Sequence, residues 1–215
     1  MERQEAVLLL PHDKSIANTV FLNLPYDNEF AELYIAYIAG LSHIGLHPCA
    51  TLEISGSQYR LEKILDLIKS CKYSIHDLSR VEQDTTPPPT PRFNMPFELG
   101  LAVAAGNPNT RKKSWFVFET EHRRLSKSLS DLNGTDPYIH EGKPEGVMRE
   151  LGNLFGRRSQ PDRYSVPEMM KTYRAVSRLV KQVQTQTGAR TLFEARAFRL
   201  LCTAASKATN RLQAN

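Results

Sequence analysis

Glu98 is the residue whose setting most strongly suggests chemistry. It stands in Arg92-Phe93-Asn94-Met95-Pro96-Phe97-Glu98-Leu99-Gly100-Leu101-Ala102, a run with no second acid. Asn94 suits a helix N-cap and Pro96 suits the first turn. Glu98 is then expected one turn in, near the positive end of the dipole, where an ionised carboxylate is favoured. Gly100 inside such a helix costs roughly 1 kcal/mol against Ala, which predicts a strand or ligand packing closely there. Asp77, at the end of Tyr73-Ser74-Ile75-His76-Asp77, supplies a second acid. Two carboxylates facing one cleft suit substitution at a sugar anomeric carbon. One attacks the carbon or stabilises an oxocarbenium-like centre, and the other holds ribose hydroxyls or manages protons. Asn23, Pro25, Tyr26 and Asn94 are the expected pocket walls, with Tyr26 stacking on a base or nicotinamide ring. Arg60, Arg80 and Arg92 are placed to meet phosphate. Ser55-Gly56-Ser57 with Arg60 has the makings of an anion site at a helix N-terminus.

The elements that must carry these residues alternate. Residues 19–24 read as a buried strand. Asp27 caps a helix with Phe30, Leu33, Tyr34, Tyr37, Ile38 and Leu41 at the 3.6 period, closed by Gly45. A strand near 47–53 leads into a helix with Leu61, Ile64, Ile68 and Cys71 on one face. Residues 73–78 form a third strand. The proline-rich loop Asp84-Thr85-Thr86-Pro87-Pro88-Pro89-Thr90-Pro91, a candidate semi-rigid lid, precedes the Glu98 helix. Strands at 114–118 and 138–140 and a helix at 144–155 complete the series. Such alternation predicts an α/β fold, a flavodoxin-like five-stranded parallel sheet in a three-layer α/β/α arrangement, with ligands beyond the carboxyl ends of the strands. Residues 1–156 form this domain. Residues 157–215 form a C-terminal α-helical hairpin with two capping boxes, Ser165 with Glu168 and Thr191 with Glu194. Its apolar faces need a partner, either the sheet domain or a second subunit, and a homo-oligomer through the hairpin is expected.

Charge divides the chain the same way. The 215 residues carry a net +5. Residues 157–215 hold twelve Lys/Arg against three Asp/Glu, a balance of +9, and the remainder holds sixteen against twenty, a balance of −4. A basic helical piece meets nucleic acid or an acidic surface, or is simply solvated. No apolar run nears the ~20 residues of a membrane span, and the polar start does not read as a secretory signal. Cys49, Cys71 and Cys202 read as reduced thiols in a cytoplasmic protein.

The short motifs resemble two related families. Val20-Phe21-Leu22-Asn23-Leu24-Pro25-Tyr26 is similar to the first strand and loop of nucleoside 2-deoxyribosyltransferases, and Tyr73-Ser74-Ile75-His76-Asp77 is similar to their third strand. Phe97-Glu98-Leu99-Gly100-Leu101-Ala102 resembles their hallmark, whose glutamate attacks C1′ of the nucleoside. NAD-cleaving TIR domains share this topology. Their pattern of an opening strand, an acid and an aromatic is similar to Phe21-Leu22-Asn23 with Asp27 and Phe30. The resemblance covers roughly residues 19–150. It implies N-glycosidic bond cleavage, with Glu98 as nucleophile or oxocarbenium stabiliser and Asp77 on ribose. Small residues often precede the deoxyribosyltransferase glutamate, whereas Arg92 to Pro96 are bulkier and charged. That favours a phosphorylated substrate, NAD first, over a plain deoxynucleoside.

Other chemistries lack their motifs. There is no Gly-x-x-x-x-Gly-Lys-Ser/Thr loop and no Gly-x-Gly-x-x-Gly, so NAD enters as substrate and no cofactor is expected. Asp131-Leu132-Asn133-Gly134-Thr135-Asp136 has its glycine too early for a calcium loop and reads as a turn, and no zinc ligand set is spaced for a metal. The competing readings are a non-catalytic TIR-like module that senses a nucleotide or binds a protein, a deoxyribosyltransferase, and nucleic-acid binding through the hairpin.

Overall fold

The computed structural model describes residues 18–54, 59–82, 87–106, 114–157 and 159–214. Ser55-Gly56-Ser57, expected as an anion site with Arg60, and Asp84, Thr85 and Thr86 of the expected lid lie outside them. Five strands, β1 (Thr19–Asn23), β2 (His47–Ala50), β3 (Tyr73–Asp77), β4 (Ser114–Glu119) and β5 (Tyr138–Ile139), form one parallel sheet in the order β2-β1-β3-β4-β5. This is the flavodoxin-like order. The helices are α1 (Ala31–Ile44), α2 (Arg60–Ser70), α3 (Asn94–Ala105), α4 (Arg124–Ser128), α5 (Pro144–Phe155), α6 (Val166–Thr187) and α7 (Ala195–Gln213). Among the described residues no helix is long and apolar enough to cross a membrane.

Alternation along β1 divides the core. Val20 and Leu22 point into a cluster with α1, α5, α6 and α7, whereas Phe21 points into one with Ile64, Leu67 and Ile68 of α2 and Ala102 of α3. The hairpin is built into the first cluster: Met170, Val176 and Val183 of α6 and Phe198, Leu201 and Ala205 of α7 share it with Tyr34 and Ile38. The buried apolar residues of the hairpin are therefore spent on the sheet domain.

That packing changes α1. Its spacing suggests one apolar face, yet every residue from Leu33 to His43 is buried, because α6 and α7 cover the side that a lone α/β layer would leave in water. His43 ties the layers, with Nδ1 2.8 Å from Thr172 Oγ1 and Nε2 2.9 Å from the Arg163 carbonyl. Gly40 allows the approach of α5, since a Cβ there would lie 2.7 Å from Leu151 Cδ1 and 3.0 Å from Met148 Sδ.

Local signals hold unevenly. Asp27 Oδ1 accepts from the Phe30 amide at 3.0 Å, capping a 3-10 turn that runs into α1, and Gly45 closes α1 at φ +87°. Asn94 is the first helical residue and not the cap of α3, whose N-cap Phe93 has no side-chain acceptor to offer. Ser165 precedes α6 without a side-chain bond. Only the return half of the second box forms: Glu194 Oε1 accepts from the amides of Arg190 at 2.7 Å and Thr191 at 3.1 Å. Leu61 is exposed, since α2 buries only Ile64, Leu67 and Ile68. Asp131 to Asp136 is a turn, with a 3-10 turn at Ser130–Leu132 and Gly134 at φ +96°.

Candidate active site

At the carboxyl edge of the sheet, where β1 and α3 meet, lies a cleft of about 750 Å³. It is walled by Asn23, Pro25, Tyr26, Arg60, Arg92, Asn94 and Glu98, so seven of the nine expected site residues converge on it. Glu98 is the only acid on its described walls. It is 9% exposed and makes no hydrogen bond or ion pair with another described residue. Burial pushes its carboxyl up to about 7, and the field of Arg60 pulls the other way without overcoming it. Gly100, by contrast, has open space where a Cβ would stand, so the close approach expected there is absent within the chain.

Asn23 sets where Glu98 sits. It ends β1 in register with His76 of β3, and its Nδ2 donates to the Met95 carbonyl at 2.8 Å and to His76 Nδ1 at 2.9 Å. His76 lies 3.0 Å from Ser74 Oγ through Nε2, and burial holds it neutral, its pKa lowered to about 3. Since Nδ1 accepts, the ring proton is on Nε2 and the chain of bonds is consistent. The start of α3 is thus pinned to β1 by a buried side chain 3% exposed. Both Asn23 amide protons are used, and Oδ1 has no donor among the described residues.

Asp77 does not line the cleft. It is fully buried, and its oxygens are taken within the chain. Tyr37 Oη donates to Oδ2 at 2.7 Å, and Ser79 donates to Oδ1 through its amide at 2.9 Å and its hydroxyl at 2.5 Å. His140 Nε2 stands 3.1 Å from Oδ2, close but off the hydrogen-bonding angle, with Nδ1 accepting from the Gly142 amide at 3.0 Å. A ribose hydroxyl has no route to this carboxylate, so the ribose role expected of Asp77 does not fit its position. The cause is alternation along β3: Asp77 shares the face of Ile75, which packs with α1, and so meets Tyr37 of that helix. Glu119 joins this buried group. Its Oε2 accepts from the Thr120 amide at 3.0 Å, its Oε1 has no hydrogen-bond partner among the described residues, and Arg124 Nε is 3.7 Å away. Burial pushes Glu119 up to about 7, against the pull of Arg124 and the Thr120 amide.

The arginines divide too. Arg80 lies outside the cleft, bound to Asp27 at 2.9 Å and Glu29 at 2.7 Å. Arg92 lines the cleft and is bound to Asp27 as well. Burial opposes it, but Arg92, the Phe30 amide and Arg80 together hold Asp27 below the ordinary carboxylate range. Arg60 lines the cleft and donates to the Ile54 carbonyl at 3.0 Å.

Tyr26 lines the cleft with its ring centroid 5.9 Å from Phe193 and 6.3 Å from Tyr34, so the turn between α6 and α7 backs one cleft wall. Burial raises its phenol, whose oxygen is 3.5 Å from Thr51 Oγ1. Phe93 and Phe97 line the mouth and are 67% and 53% exposed, an apolar pair at i, i+4 just ahead of Glu98. Their spacing is visible in the sequence; their exposure is not. Thr90 and Pro91 bring the end of the proline-rich loop onto the same cleft. Among the described residues, no three His, Cys, Asp or Glu side chains gather as a metal site. No protein-family model, curated protein or solved structure matches the chain, so its chemistry is read from this geometry alone.

Proposed function

We propose that the protein is a hydrolase of the N-glycosidic bond of a nucleotide, NAD first, with Glu98 as the reacting carboxylate. The observation that carries this reading is a buried carboxylate, the one acid on the described wall of a cleft large enough for a nucleotide, with no hydrogen-bond or ion-pair partner among the described residues. An acid kept in this state is costly to the fold, and a cationic centre beside it would remove the cost. The ribosyl centre that develops as a glycosidic bond breaks is such a cation.

The lone acid also favours NAD over a nucleoside. When the C1′–N bond of NAD breaks, its electron pair returns to a pyridinium nitrogen, and neutral nicotinamide leaves without a proton. A neutral purine would need a second group to protonate it as it leaves, and the described cleft walls hold no second carboxyl and no imidazole. Glu98 attacks C1′ or shields the cation; water then adds, giving ADP-ribose and one proton. Asn23 Oδ1 accepts from a ribose hydroxyl, Phe93, Phe97 and Tyr26 flank the ring, and Arg60 and Arg92 meet phosphate. Arg92 must share its guanidinium with Asp27, so Arg60 is the freer anion contact.

The test is nicotinamide release from NAD by purified protein, with Glu98→Gln alongside. Cleavage by wild type and none by the variant is expected; equal turnover by both would remove Glu98 from the chemistry. A nucleophile must be ionised, so kcat/KM should rise with pH to a plateau above about 7. The bound pyridinium favours the carboxylate, so the midpoint for kcat should lie lower. Free base added to the assay distinguishes transfer from hydrolysis by base exchange. Binding of NAD without turnover by wild type would instead support a nucleotide-sensing module.

A further inference from the structure

We propose that the outer face of α6 and α7 is a docking surface for the phosphate backbone of nucleic acid, independent of the cleft. α6 exposes Lys171, Arg174, Arg178 and Lys181, and α7 exposes Arg196, Arg199 and Lys207. Steps of three and four residues, with Thr203 bridging the longer gap, set each group on one stripe, opposite the side packed against α1. The stripes rise about 15 and 17 Å, the length of four or five nucleotides of one strand. A groove of about 360 Å³ opens along the start of the α7 stripe, lined by Arg196, Arg199, Leu200 and Thr203 with Gln186 and Thr187 of α6.

Six of these seven cations have no acid partner among the described residues. Elsewhere Arg80, Arg92, Arg124 and Arg149 each hold a carboxylate. Among the described residues of the stripes only Lys171 does so, with Glu168. The one other acid in α6, α7 or their turn is Glu194, whose Oε1 is held by two backbone amides. Like charges at i, i+4 destabilise a helix by a few tenths of a kcal/mol per pair, so the stripes gain nothing from the fold itself. Their setting selects the partner. An acidic protein would call for an aromatic or apolar anchor, and a membrane surface for a side chain that inserts. The stripes offer neither, but carry Gln182, Thr185 and Thr203, exposed groups that hydrogen-bond phosphate oxygens.

Fluorescence anisotropy of the full chain with a labelled 30-mer, duplex and single-stranded, from 50 to 300 mM NaCl, tests this. Wild type should bind with log affinity falling against log salt at a slope of roughly −4 to −6. Arg178→Glu with Arg199→Glu should weaken binding at least tenfold and flatten the slope by about 2. Lys127→Glu with Lys143→Glu, an equal change of charge on the sheet domain, should move affinity less than twofold. Arg178→Gln with Arg199→Gln, milder for folding, should show about half the effect. No binding by wild type at 50 mM salt, equal loss in the two glutamate pairs, or tighter binding to anionic vesicles than to either oligonucleotide would each overturn the proposal.

Discussion

Two acids stand at the carboxyl edge of one sheet, and the chain treats them oppositely. Asp77 closes β3 inside the protein, where a tyrosine, a serine hydroxyl and an amide satisfy it and a histidine stands beside it. Glu98 is set one turn into α3 on a cleft wall, with no described hydrogen-bond partner. Both look like catalytic carboxylates in sequence. What separates them is hydrogen bonding: a saturated acid organises structure, whereas an unsatisfied one at a cleft is poised for something that arrives. The Tyr37–Asp77 bond ties the end of β3 to the middle of α1, and the Asn23–Met95 bond ties the end of β1 to the start of α3.

The sharpest way to break this comparison is to exchange the two effects. Glu98→Gln should lower nucleotide cleavage on the order of 10³-fold in a steady-state assay, while Asp77→Asn should leave chemistry intact in whatever fraction remains folded. Asp77→Asn should cost about 4 kcal/mol in urea unfolding, since an amide nitrogen would face donors from Tyr37 or Ser79. Glu98→Gln should do the reverse and stabilise. Glu98 holds its proton more tightly folded than unfolded, so its contribution falls as pH rises from 4.5 through about 7. Removing that carboxyl should add about 3 kcal/mol at pH 8 and little at pH 4. Destabilisation at pH 8 would mean that Glu98 is a structural acid like Asp77. Glu119, also pushed up to about 7, should preserve a residual pH slope in the variant.

Smaller effects sharpen the boundary. Asn23→Ala leaves the Met95 carbonyl and His76 Nδ1 without their donor, so thermal unfolding should report about 2 kcal/mol of loss. Turnover in the folded fraction should fall with it, because α3 loses its pin. Gly100→Ala should add about 1 kcal/mol, since a Cβ there meets open space. A normal stability gain with lost activity would show that a ligand or partner packs on Gly100 after all.

The fold was legible because periodicities are local. Short apolar runs between helical spacings fix five parallel strands, and Asp27 and Gly45 mark one helix from both ends. Most of the cleft was legible for the same reason, as loops after parallel strands must share an edge. Asp77 was misplaced because local pattern does not say whether a strand-end side chain faces the cleft or a neighbouring helix; Tyr37, distant in sequence, decides that. Gly100 and Gly40 make the same point. The glycine beside the motif has room to spare, while the one that packs tightly sits unmarked inside α1.

The sequence alone determined the order of the five strands and of the longer helices between and after them, the separation of charge between residues 157–215 and the rest, and the presence of an acid early in an apolar helix. Those properties depend on side-chain chemistry at short spacing. Only the tertiary structure decided which acid is left unsatisfied, that α6 and α7 spend their apolar faces on α1, and that Phe193 backs the wall formed by Tyr26. Hydrogen-bond satisfaction and burial are sums over neighbours from many parts of the chain, and no window along it contains them.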